Sequence, residues 1–244
     1  MRFLTGLLAA CLLTACSAAN GTGDEPDAEA IEAIVHRYIV ENPEVIEEAL
    51  IELQRRARER EQAQLSAGAQ QFRSALFDDA RDPVIGPVDA ELTIVEFFDY
   101  RCPFCVQVND WLAGVQERHP GQVRVIFKEL PLLGEASDEA ARAALAVWNL
   151  APEQYGAFHD ALMQAGSPMN SERIDLIAAE HGIERAALRE AMASPEIEAH
   201  LDSVYELARS IGVSGTPFFV IGDEIIPGAD ISRLNRIVAE ALDD

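Results

Sequence analysis

Cys102-Pro103-Phe104-Cys105 sets two thiols two residues apart, a spacing that lets one sulfur attack a disulfide and the other resolve the mixed product. The chain has four cysteines. Cys11 lies inside an apolar leader and Cys16 at its end, so Cys102 and Cys105 are the pair left for the folded protein. A bridge closing so short a loop removes little unfolded-state entropy, which makes the pair a poor staple and a plausible reactive group. The alternatives are a zinc site, an inert buried pair or a short structural disulfide. Zinc wants four ligands, and His36, His119, His159, His181 and His200 are scattered without a paired spacing, so we expect no metal and no cofactor and give the histidines no role.

The elements around the pair decide how it reacts. Residues 92–98, Leu-Thr-Ile-Val-Glu-Phe-Phe, form an apolar run rich in β-branched and aromatic side chains, which predicts a buried strand. A helical pattern over 106–119 follows, closed by Pro120-Gly121, and a second strand over 123–128. Strand, helix, strand at this spacing is a βαβ unit with parallel strands, so the fold class is α/β. Cys102 then sits where a strand ends and a helix begins, facing free N–H groups and the positive end of the helix dipole. That predicts an exposed Cys102 with a pKa below the free value of about 8.5, attacking and leaving, with a more buried Cys105 resolving. Pro103 suits the first helical turn because it has no N–H to leave unpaired.

Residues 133–212 read as several helices, the longest capped by Ser194, begun by Pro195 and ended by Gly212, with Ile197, Leu201, Val204, Tyr205, Ala208 and Ile211 as its apolar stripe. Gly215-Thr216-Pro217 leads into strands over 217–221 and 224–226, joined by the tight turn Gly222-Asp223. A last helix spans 230–242.

At the other end, Arg2 and the uncharged run 3–15 form an export signal. Thirteen helical residues reach about 20 Å, short of the ~30 Å membrane core, so a permanent span is not expected. Leu13-Thr14-Ala15-Cys16 resembles a bacterial lipoprotein signal, which would make Cys16 a lipidated N-terminus; ordinary cleavage after Ser17-Ala18-Ala19 would discard it. The expected layout is signal 1–15, linker 16–26, helical extension 27–80 and catalytic domain 81–244. Within the extension, Asn42-Pro43 should break the helix, Asn42 capping the second segment. Ile46, Leu50, Leu53 and Ala57 form one apolar stripe, and Leu65, Ala69, Phe72 and Leu76 another. Such a helix is either a self-association stalk, a spacer or a piece packed on its own domain. In 244 residues, 42 acidic against 19 basic side chains give a net charge of -23, which excludes a nucleic-acid binder and electrostatic attraction to anionic lipid.

The order Glu96-Phe97-Phe98-Asp99-Tyr100, Cys102-Pro103-Phe104-Cys105, a helical stretch, then Gly215-Thr216-Pro217-Phe218-Phe219 resembles the DsbA-like thiol-disulfide oxidoreductases of the thioredoxin superfamily. The resemblance covers about residues 82–244. It implies a thioredoxin fold with a helical domain, 133–212, inserted before a cis-proline loop. It further implies Pro217 as that cis-proline, Gly215 and Thr216 as a backbone edge for substrate, Pro103 and Phe104 as its apolar surroundings, and Glu96 as a buried acid able to move the proton of Cys105. Two departures stand out. Phe104 cannot donate a hydrogen bond or a charge to the thiolate, which predicts a milder oxidant than relatives with histidine between the cysteines. The extension is absent from the minimal fold and is similar to that of members that oligomerise and isomerise.

Three functions therefore compete: an exported, lipid-anchored periplasmic oxidoreductase exchanging disulfides with unfolded or partly folded envelope proteins, an oligomeric isomerase or reductase joined through 27–80, and a non-catalytic metal- or partner-binding lipoprotein. Either of the first two needs a membrane redox partner to reset the dithiol.

Overall fold

A computed structural model describes residues 27–242. The expected signal, the linker and Cys16 lie outside them. The described residues divide into two compact units, one ending at Arg55 and the other beginning at Arg56.

In the first unit, α1 (Ala28–Glu41) is capped by the side chain of Asp27 and has no buried residue. The Asn42 side chain closes this helix and not the next: its backbone N–H and its Nδ2 both donate to the Tyr38 carbonyl, while its own carbonyl accepts from the Val45 N–H at 3.2 Å. An amide side chain one turn beyond a helix-end carbonyl can give it a second hydrogen bond, which the Asn-Pro pair alone does not reveal. Pro43 then precedes α2 (Glu44–Gln71). Ile34, Val35, Tyr38, Ile46, Leu50 and Leu53 are all exposed, Ile34 by 57% and Leu50 by 54%.

The second unit is built on a five-stranded sheet ordered β1-β3-β2-β4-β5. Its strands are β1 (Val84–Ile85), β2 (Leu92–Phe98), β3 (Val123–Glu129), β4 (Phe218–Ile221) and β5 (Glu224–Pro227). β2 and β3 run parallel in register Leu92 to Val123, as the βαβ reading requires, and the other pairs are antiparallel. The β4–β5 hairpin turns at Gly222 (φ 60°). Alternation along β2 divides the core. Ile94 and Phe98 face one cluster, with Cys105, Val108, Leu112 and Val115 of α4 (Pro103–Arg118). Val95 and Phe97 face a second, with Leu65 and Ala69 of α2, Leu76 of α3 (Arg73–Phe77) and Phe218 and Val220 of β4. The second apolar stripe of the extension thus packs on the sheet, whereas Ile46, Leu50 and Leu53 of the first remain exposed.

Between β3 and β4 come α5 (Glu135–Leu150), a 3-10 turn at Pro152–Gln154, α6 (Tyr155–Gln164), α7 (Ser171–Glu180), α8 (Arg185–Met192) and α9 (Pro195–Ile211). Ser194 caps α9, accepting from the Ile197 N–H at 3.3 Å. Gly212 ends it in the left-handed conformation (φ 96°), and the N–H groups of Gly212 and Val213 both donate to the Ala208 carbonyl. α9 joins the two cores, Ile197 and Leu201 packing with the inserted helices and Val204, Leu207, Ala208 and Ile211 with the sheet's second face. Tyr205, expected in that stripe, is exposed. α10 (Ile231–Leu242) returns Leu234, Ile237 and Val238 to the first cluster.

One charged cluster is sealed on the second face. Lys128 ion-pairs with Asp82, both side chains 1% exposed or less, and its Nζ also donates to the Ala75 carbonyl at 2.6 Å. His200 Nε2 lies 3.3 Å from Asp82 Oδ1 without hydrogen-bond alignment.

Candidate active site

The turn between β2 and α4 is tied down by Asp99. Its Oδ1 accepts from the Arg101 N–H and the Ser137 hydroxyl, both at 2.7 Å, and its Oδ2 from the Leu132 and Leu133 N–H groups at 2.8 and 2.9 Å. One carboxylate therefore joins the loops after β2 and after β3 to the start of α5. The Asp99 carbonyl accepts from the Cys102 N–H at 3.0 Å. Cys102 holds the N-cap position in extended conformation, Pro103 opens the helix, and the N–H groups of Cys105 and Val106 donate to the Cys102 carbonyl at 3.0 and 3.2 Å.

Both cysteines are free thiols. Cys102 is not the exposed residue expected from a helix start: it is only 5% accessible. The cause is tertiary, because the loop before β4 covers it, and the Cys102 Sγ donates to the Thr216 carbonyl at 3.3 Å. The Thr216-Pro217 peptide bond is cis. Pro217 is buried, with Gly215 and Thr216 half-buried beside it. A Cβ at Gly215 would meet nothing within 4 Å, so that glycine leaves its side of the loop open. Phe104 is 61% exposed next to the thiols and Pro103 is exposed with it. A cavity of about 330 Å³ adjoins the same loop, lined by Leu130, Leu132, Tyr205 and Val213 among others.

Beneath the pair the floor is acidic and buried. Glu96 is buried at 1% exposure and its Oε1 has no hydrogen-bond partner. Burial first, and the charge of Cys102 second, push its carboxyl well above the usual range. Cys105 is fully buried, and burial followed by the charge of Glu96 pushes its thiol up. A thiol and an acid that each resist ionisation can pass one proton between them without leaving two charges in an apolar floor.

The sequence reading missed a second acid and its partners. Glu129, Tyr100, Tyr155, His159 and Asn109 are all buried and linked by hydrogen bonds. An acid at the end of an apolar strand and a histidine in α6, 30 residues further along the chain, carry no local signal of meeting. Among the described residues no group of three or more His, Cys, Asp or Glu could hold a metal ion, and no helix is long and apolar enough to cross a membrane.

Comparison with known proteins agrees with this geometry. The DSBA-like thioredoxin domain family matches residues 93–234, and the family described as copper resistance protein ScsC N-terminal domain matches residues 27–60. A linker-deletion variant of Proteus mirabilis ScsC is 33% identical with a TM-score of 0.66, covering 91% of this chain and 99% of its own. A periplasmic thioredoxin-like protein from Salmonella enterica serovar Typhimurium is 36% identical with a TM-score of 0.64, covering 71% of this chain and 97% of its own. Disulfide bond formation protein D of Bacillus subtilis is 26% identical over 170 residues, 66% of this chain and 77% of that protein. With a matched domain that takes in β2, the dithiol and the cis-proline loop, the chain belongs to the DsbA-like family of thiol-disulfide oxidoreductases.

Proposed function

We propose that this protein exchanges disulfides with cysteine-containing proteins of the periplasm through Cys102 and Cys105. The observation that carries the reading is the Cys102 thiol set at a helix N-terminus against the Thr216 carbonyl of a cis-proline loop. When the pair is oxidised, a substrate thiolate attacks Cys102 Sγ, the S–S bond breaks, and Cys105 leaves and takes a proton from Glu96. The second substrate thiolate then attacks the mixed disulfide, releasing Cys102 as a thiolate and the substrate oxidised. In the reverse direction Glu96 accepts the Cys105 proton as that sulfur resolves. Gly215 and Thr216 offer a backbone edge to an extended segment, and Pro103, Phe104 and the groove beside Val213 offer apolar contact, which together tolerate many substrates. We further propose the layout of signal 1–15, linker 16–26, extension 27–80 and catalytic domain 81–244, with lipidation at Cys16 holding the protein to a membrane that also carries its redox partner. The test is alkylation-based measurement of exchange with a glutathione buffer and a reduced, unfolded protein substrate. Cys102→Ala should abolish exchange, and full activity in that variant would overturn the assignment.

A second reading, an oligomeric isomerase, is favoured by the exposed apolar side chains of α1 and the start of α2, more than a solvated helix pair needs. It is separated from the first by the mass of the protein in solution and by whether the dithiol stays reduced in mildly reducing buffer.

A further inference from the structure

Glu96 pairs with Phe127 and Phe98 with Glu129 across β2 and β3, so both acids point to the same side of the sheet. Glu129 Oε1 lies 3.1 Å from the Tyr100 hydroxyl and 3.3 Å from that of Tyr155, while Oε2 has no partner. Those distances do not say which atom donates, because hydroxyl hydrogens rotate and a carboxyl can carry a proton.

The rest of the chain of contacts does. Asn109 Nδ2 donates to Asp160 Oδ1 at 2.9 Å, which turns Asn109 Oδ1 toward His159 Nε2 at 3.0 Å. An amide oxygen only accepts, so His159 carries its hydrogen on Nε2. Burial pushes this imidazole down to about 3, so the ring is neutral and Nδ1 is bare. Nδ1 is 3.0 Å from the Tyr100 hydroxyl and takes its hydrogen, leaving Tyr100 none for Glu129. Tyr155 can donate its own hydroxyl hydrogen to Oε1, but the contact between Glu129 and Tyr100 is a hydrogen bond when the carboxyl supplies the proton.

We propose that Glu129 stands as a neutral carboxylic acid donating to Tyr100, and serves as a positioning residue that leaves Glu96 as the single base beneath the dithiol. The role rests on the disulfide-exchange reading above. Burial raises the Glu129 carboxyl, the Tyr100 and Tyr155 contacts oppose this in part, and the charges of Asp99 and Glu96 add to it. An unpartnered Oε2 is tolerable as the carbonyl of an acid and costly as half of a carboxylate. The groups facing Glu129 are Glu96 from β2, Asp99 and Tyr100 from the following turn, and Tyr155 and His159 from α6. Asn109 of α4 lies behind His159, and the thiols lie beyond Glu96. A charged Glu129 would drive Glu96 further from ionising and slow the departure of the Cys105 proton.

The infrared difference between the full chain and Glu129→Gln, in light and heavy water at neutral pH, reads the state directly. Loss of one carboxylic C=O band supports the proposal, and loss of carboxylate bands overturns it. Should the variant not fold, carboxyl carbon NMR of labelled wild-type protein reads the same state. The pH profile of exchange tests the role: Glu129→Gln should leave it in place. His159→Phe, which frees the Tyr100 hydrogen for Glu129, should shift it to higher pH, and adding Glu129→Gln should shift it back. A profile moved by Glu129→Gln alone overturns the role. Absence of exchange in the wild type with the infrared band intact would instead count against the exchange reading.

Discussion

The Cys102 Sγ lies 3.3 Å from the Thr216 carbonyl oxygen, a contact across 114 residues of sequence. It brings the start of a helix against the loop that opens the last hairpin. The thiol is thereby covered by loop backbone, and under the proposed exchange function a substrate strand would have to displace it from that acceptor.

Removing the resolving sulfur should therefore separate the two halves of the exchange. Cys105→Ala is expected to accumulate a stable mixed disulfide between Cys102 and substrate, visible as an added mass that dithiothreitol removes. No trapped species under conditions where the wild type turns over would remove Cys105 from the resolving role.

Stability should carry an alkaline slope from Glu96. Its folded pKa is raised above the unfolded value, so its contribution is complete below the ordinary carboxylate range and is lost as pH rises through the raised value. Glu96→Gln is expected to gain in melting temperature relative to wild type as pH increases, checked by thermal melts at several pH values. A constant difference would show that the acid titrates alike in both states.

The acid side should be governed in part by His159. Its folded pKa is lowered to about 3 from 6.5, so its share of stability is present above the unfolded value and is lost as pH falls from 6.5 toward 3. His159→Phe should flatten the denaturation midpoint over that window.

Lys128→Met leaves Asp82 buried without its partner and is expected to cost about 3–5 kcal/mol in urea unfolding. Adding Asp82→Leu should recover most of the loss, since a well-packed apolar pair avoids the desolvation of both charges.

Gly212→Ala places a side chain at φ 96° with Leu65 Cδ2 3.4 Å from the new carbon, and should destabilise by about 1–2 kcal/mol. Chemical denaturation of the variant checks it.

Much of the frame was legible because it depends on local pattern. The apolar run at Leu92–Phe98 yields a strand with those bounds, and Ser194, Pro195 and Gly212 bound a helix by cap chemistry. What escaped depends on distant partners. The burial of Cys102 comes from a loop 114 residues away, and Asp99 gains its place through Leu132, Leu133 and Ser137. β1, two residues long, is a strand because β3 offers it an edge. His159 looked solitary because Tyr100 and Asn109 reach it from other elements.

Lys128 and Glu129 are neighbours in β3, yet one is neutralised by Asp82 on one side of the sheet and the other meets Tyr100 and Tyr155 on the opposite side. Strand parity alone decides which of the two reaches the floor of the dithiol. Loss or gain of one residue within β3 would put the Lys128 ammonium where the Glu129 carboxyl now stands, setting a positive charge under the sulfurs while leaving every other side chain of the site intact. The length of this strand thus bears on the dithiol although neither cysteine belongs to it.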